Sequence, residues 1–147
     1  MNDVLVLGGP AKEREVVEAV VHWCIKKLMP RVRTLEIEVK LTNCSSYGYC
    51  LEADDHKTFE LEIRKGLNLY DLISTVCHEM VHVKQYYRKE LCPSHKRWKT
   101  KRMPSDGLDY MDQPWEKEAF KLEGVLALEC FQELNVNFGK KRVDNYK

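Results

Sequence analysis

Residues 69–87 read L-Y-D-L-I-S-T-V-C-H-E-M-V-H-V-K-Q-Y-Y, with neither Gly nor Pro to interrupt them. Leu72, Ile73, Val76, Met80 and Val83 recur at helical spacing, which predicts an amphipathic helix packed on a core. Inside it, His78-Glu79-Met80-Val81-His82 is an H-E-x-x-H sequence. Positions four apart lie one above the other on a helix, so the two imidazoles point the same way while Glu79 projects beside them. Zinc accepts such nitrogen ligands, and a glutamate beside a zinc-activated water can serve as its general base. The ordinary alternative is a chance H-x-x-x-H on a solvated helix face. Here the imidazoles border a buried stripe, where an unpartnered polar group is costly, and the segment predicts a metal site with hydrolytic chemistry.

The rest of the chain sets the frame for that helix. At 147 residues it is long enough for one domain with a real core, spanning 1–147 with a basic, frayed tail from about 136. Apolar residues make up 44% and charged residues 32%, ordinary values for a globular protein. A net charge of +1 provides no global attraction to nucleic acid or anionic membrane. No run approaches the length of a transmembrane helix, and Met1-Asn2-Asp3-Val4-Leu5-Val6-Leu7 lacks the basic leader and apolar stretch of a secretory signal. A cytoplasmic location is expected, and with it reduced thiols for the six Cys. No C-x-x-C pair occurs, so structural zinc through cysteine is not expected; Cys77 reads as a small helix-packing residue.

Residues 11–29 carry apolar positions at helical spacing, ended by Pro30. The Gly8-Gly9-Pro10 sequence before them reads as a turn, since no phosphate-loop G-K-[ST] follows. Residues 35–41 and 58–64 alternate apolar and polar side chains and read as half-buried strands, with another strand over 46–51. Residues 53–57 suit a hairpin turn. Between 89 and 113 the pattern dissolves into a polar loop, and a last helix opens at Pro114 and runs through Phe131. The order predicts an α+β domain: an N-terminal helix, a small three-stranded, mostly antiparallel sheet, the H-E-x-x-H helix, a long loop and a C-terminal helix.

A hydrolytic zinc site has three protein ligands and one open position. The third ligand can come from Glu116 or Glu118 on the last helix, or from His95 in the loop. A helix packed on the H-E-x-x-H helix through Leu122, Val125 and Leu126 holds a carboxylate in register better than a loop holds His95. Acidic residues are also common in first turns because they suit the helix dipole. His22 and His56 lie on earlier elements and read as surface residues.

With these residues the chain resembles the minimal zincin metallopeptidases, and among them the glutamate-liganded gluzincins. Glu116-Lys117-Glu118-Ala119 is similar to the E-x-x-A sequence that carries their third ligand, and residues 110–119 resemble small metallopeptidase-like proteins of bacteriophages. The resemblance implies one Zn2+ per chain on His78, His82 and Glu116. It also implies Glu79 as general base for peptide-bond hydrolysis, in host cytoplasm if the protein is viral. Phe120 departs from the pattern, since many gluzincins have an acidic or amide residue there, which leaves Glu118 as the other register. The resemblance further implies a peptide or protein substrate lying along an exposed strand, expected to be 58–64. Tyr110 and His95 are candidate oxyanion donors, and Gln85 a candidate partner of a ligand histidine.

Two further readings compete. SprT-like DNA-associated proteases take a later His as third ligand, and Ser94-His95-Lys96-Arg97-Trp98 is loosely similar to that segment. Between Lys84 and Arg102 eight Lys or Arg stand against one Glu, a charge run able to touch nucleic acid, though a solvated loop explains it as simply. The third reading is a non-catalytic binding protein braced by zinc, for which four protein ligands are the usual arrangement.

Overall fold

The computed structural model describes residues 1–52, 56–104 and 106–138. Strand β1 (Asp3–Leu7) leads through Gly8-Gly9-Pro10 into helix α1 (Ala11–Leu28). Strands β2 (Glu36–Thr42), β3 (Gly48–Glu52) and β4 (Thr58–Arg64) follow, then helix α2 (Leu69–Tyr87). A two-stranded ribbon, β5 (Arg97–Trp98) and β6 (Lys101–Arg102), and a 3-10 turn (Tyr110–Asp112) precede helix α3 (Pro114–Phe138). The α+β class stands, and α2 has the bounds that its sequence predicts. Among the described residues no helix is long and apolar enough to cross a membrane.

The sheet corrects the expected one. It has four strands in the order β1-β2-β4-β3, with β1 parallel to β2, β2 parallel to β4, and only β3 antiparallel to its neighbour. Parallel strands normally read as continuous apolar runs because helices cover both faces. Here Ile37, Val39, Leu41, Phe59, Leu61 and Ile63 are buried under the helices, while the opposite face carries Glu36, Glu38, Glu60 and Glu62 together with the exposed Leu5, Leu7 and Leu51. One bare face produces the alternation usually seen in antiparallel sheets. Strand β1 escapes a reading by period because Val4-Leu5-Val6-Leu7 is apolar throughout.

That topology moves the open edge. Strand β4 is paired on both sides and is not exposed; β3 is the edge strand that approaches α2. Gly48 permits the approach, since a Cβ there would stand 2.8 Å from the Glu62 carbonyl oxygen and 3.1 Å from Thr75 Cγ2. Gly8 does the same at the other end: with φ +81°, it turns the chain against the Leu41 carbonyl, 2.5 Å from where a Cβ would lie.

Helix α2 is the centre of the core. Leu72, Val76, Cys77, Met80, Val81 and Val83 have no exposed surface, and each large apolar side chain so buried contributes about 1.5–3 kcal/mol. Its start is capped by Asn68, whose side-chain oxygen accepts from the Asp71 amide at 2.8 Å. Its end is marked by Lys89 in the left-handed region at φ 59°. Cys24 of α1, Cys77 and Cys130 of α3 are all buried where the three helices meet, with the first two thiols 3.8 Å apart, which suits the packing role expected for Cys77.

The last two segments also differ from expectation. Residues 89–113 are not a plain loop: besides the ribbon, Leu91 is buried and bridges to Trp98. Helix α3 runs to Phe138, past the point where fraying is expected, and 139–147 lie outside the described residues. It meets the core through Trp115, Ala119, Leu126, Ala127 and Cys130; Val125 and Leu128 face outward at 57% and 58% exposure, so Val125 does not pack on α2. Gly48→Ala is expected to destabilise the protein by about 1–3 kcal/mol, read as a fall of several degrees in Tm. An unchanged Tm would contradict the close approach of β3 to α2.

Candidate metal centre

The helical spacing brings His78 and His82 to one point, and α3 delivers the third group. His78, His82 and Glu116 are buried and offer ligand atoms within 4.8 Å of one another, a group that could hold a metal ion. One Glu116 oxygen lies 3.0 Å from His78 Nε2 and the other 3.1 Å from His82 Nε2. A tetrahedral site with bonds of about 2.0–2.1 Å has edges of about 3.3 Å, close to these separations.

The outer ring nitrogens explain why the inner ones are available. His82 Nδ1 stands 2.8 Å from Gln85 Oε1. The Gln85 amide nitrogen donates to the Trp115 carbonyl at 3.0 Å and to Glu118 at 3.1 Å, which fixes its oxygen towards the histidine. An amide oxygen only accepts, so the His82 proton sits on Nδ1 and Nε2 presents a lone pair. His78 Nδ1 faces Glu123 Oε1 at 3.5 Å, which favours the same tautomer. Both Nε2 lone pairs then oppose the Glu116 carboxylate, acceptor against acceptor, unless a proton or cation lies among them. The donor set fits a metal.

With a proton rather than a cation in that place, burial alone would raise the Glu116 pKa, but its contacts with both histidines hold the carboxyl well below the usual carboxylate range. Burial pulls His82 down, and Glu116 outweighs it to leave the ring raised. The Tyr110 hydroxyl donates to Glu116 at 3.0 Å and is itself pushed up by burial and by that carboxylate.

Glu79 is placed differently. It is only 5% exposed, and among the described residues no donor forms a hydrogen bond to its carboxylate. Burial pushes its pKa up to about 6, against the pull of His82 and His78. It lines a cleft of about 340 Å3 together with His78, His82 and Glu116. One wall of this cleft is the edge strand, at Gly48, Tyr49 and Cys50; Tyr86, His95 and Trp115 contribute to it as well.

The other candidates fall outside the cluster. Glu118 is turned away and bound by Lys84 at 2.9 Å as well as by Gln85. His95 lines the cleft, but its Nε2 is paired with the Tyr86 hydroxyl at 2.9 Å. Phe120 packs edge-on against the His78 ring, 4.7 Å between centroids, at the position where the resemblance suggests an acid or amide. Glu123 takes up the outer nitrogen instead and is missing from the sequence reading. Its one signal is its place seven residues after Glu116, on the same helix face. Comparison of the chain with protein-family models, with curated proteins and with solved structures returns no match.

Partners of ligand histidines typically affect metal affinity by about 10–100-fold. Gln85→Met is therefore expected to weaken metal binding by about that factor in a chelator competition, with the helical circular dichroism retained. Undiminished affinity would remove Gln85 from the site.

Proposed function

We propose that the chain is a gluzincin-like zinc metallopeptidase, hydrolysing peptide bonds with Zn2+ on His78, His82 and Glu116 and with Glu79 as general base. The observation that carries this reading is Glu79 itself. A buried carboxylate without a hydrogen-bond donor costs stability, and this one lies on the same cleft as the three ligand groups. A structural zinc site is usually closed by four protein ligands; among the described residues the cluster holds three, which favours an open position and a catalytic role. Two histidines and a carboxylate also serve non-haem iron. The adjacent unpaired Glu79 favours hydrolysis, and so zinc.

When bound, the ion supplies a Lewis acid that polarises a peptide carbonyl and acidifies water. Glu79 accepts the proton of the attacking water and returns it to the leaving amine. Gln85 and Glu123 keep the two imidazoles turned towards the cleft. The Tyr110 hydroxyl and the His95 ring border the same space; either would donate to a developing oxyanion only by giving up its present partner, Glu116 or Tyr86. An extended peptide adds to the outer edge of β3, where Gly48, Tyr49 and Cys50 line the cleft.

Zinc-loaded Glu79→Gln is expected to retain one ion per chain while hydrolysis of a mixture of denatured polypeptides, followed by mass spectrometry, falls by about 10²–10⁴. An unchanged rate would remove Glu79 as the base. Zinc affinity is expected to drop more in Glu116→Ala than in Glu118→Ala or His95→Ala, and the reverse ranking would reassign the third ligand.

A further inference from the structure

The metal site leaves the ribbon β5–β6 unexplained. Lys96, Arg97, Lys99, Lys101 and Arg102 are all exposed, five cations within seven residues. Among the described residues no carboxylate forms an ion pair with any of them. Such crowding of like charge works against a compact ribbon; among the described carboxylates Glu118 feels the charge of Lys99, but without an ion pair. Even the turn holds a lysine, Lys99, in the left-handed region at φ 54°, where Gly or Asn fits at less cost.

The ribbon is anchored at the cleft. His95, directly before Lys96, lines the cleft, and Trp98 packs on Trp115, 6.3 Å between ring centroids, one residue ahead of Glu116. The ribbon that carries the five charges therefore begins at the border of the space that a peptide would occupy. Their field is local, because the chain as a whole carries only +1 and the bare sheet face holds Glu36, Glu38, Glu60 and Glu62.

From this placement we propose that the ribbon is a docking site for acidic side chains of the polypeptide substrate, so that the cleft selects segments rich in Asp and Glu. The proposal rests on the reading of the cleft as peptide-binding. Single-stranded nucleic acid is the other polyanion a basic ribbon can meet, and it is usually gripped by stacking bases on aromatic rings. The one aromatic ring of the ribbon is already covered: Trp98 has Trp115 against it and the Lys99 ammonium over its face, 5.2 Å from the centroid. Within the ribbon, charge without a free ring to stack on matches carboxylates better than bases.

The test is a binding measurement that does not depend on turnover. Fluorescently labelled octapeptides of alternating Glu and Ala, or of alternating Gln and Ala, are titrated into the full chain carrying Glu79→Gln, alongside an oligothymidylate of similar length. Exposed charge pairs are individually weak but add within a cluster, and the acidic peptide is expected to bind about tenfold tighter than the neutral one at low salt. That advantage is expected to vanish at high salt and in Lys101→Glu/Arg102→Glu, and to shrink in Lys96→Gln/Arg97→Gln, with neutral-peptide affinity and circular dichroism unchanged. Equal affinity for the two peptides overturns the proposal. So does a preference that survives in both variants, or an oligothymidylate bound more tightly than the acidic peptide in a ribbon-dependent way. Ribbon-dependent preference without hydrolysis by the unsubstituted chain supports the docking site and sinks the peptidase reading; hydrolysis without the preference does the reverse.

Discussion

The carboxylate of Glu116 lies between two imidazoles, with oxygens 3.0 and 3.1 Å from their inner nitrogens, and the rest of the site is arranged around that contact. It joins the first turn of α3 to the middle of α2, inside the core. Burying such groups is costly unless each polar atom finds a partner, so the neighbourhood is densely bonded. Gln85 is the clearest case, because it holds His82 with its oxygen while its nitrogen grips the Trp115 carbonyl and Glu118. The side chain that orients one ligand therefore also sets the register of the helix that brings another.

Much of this was legible in the chain. An unbroken helical stripe with H-E-x-x-H on it gave α2 and the convergence of His78 and His82, because a period of 3.6 residues is a local property. Pro114 and the apolar positions after it gave the start of α3, and its first turn gave the glutamate. The choice between Glu116 and Glu118 is open to the residues alone, because two positions of one turn, about 200° apart around the helix, are told apart only by which neighbour each face meets. Contacts that cross elements were out of reach. Glu123 is marked only by its place on the Glu116 face of the helix, and its relation to His78 arises only after α3 packs on α2.

The sheet departs from the expected one for a physical reason of its own. Alternation reports that one face of a strand is dry and the other wet; it does not report strand direction. Because no described helix covers the outer face, β2 and β4 alternate although they run parallel. The difference has a functional consequence, since alternation read as an antiparallel sheet puts the open edge at β4. With β4 inserted between β2 and β3, the edge strand beside His78, His82 and Glu116 is β3, and Gly48 is the residue that lets it come close.

The cleft thus combines a three-residue group that could hold a metal ion, a buried carboxylate without a donor among the described residues and the edge strand β3, with a cationic ribbon beginning at its border. Each has an ordinary structural explanation alone; their meeting in one space supports the proposed peptidase reading. The most direct test is a crystal structure of the zinc-loaded protein with anomalous data at the zinc edge. The account predicts a single ion bound by His78, His82 and Glu116, with a non-protein atom in the remaining position facing Glu79. An ion closed by a fourth protein ligand, or one held by Glu118 or His95 in place of Glu116, would contradict it.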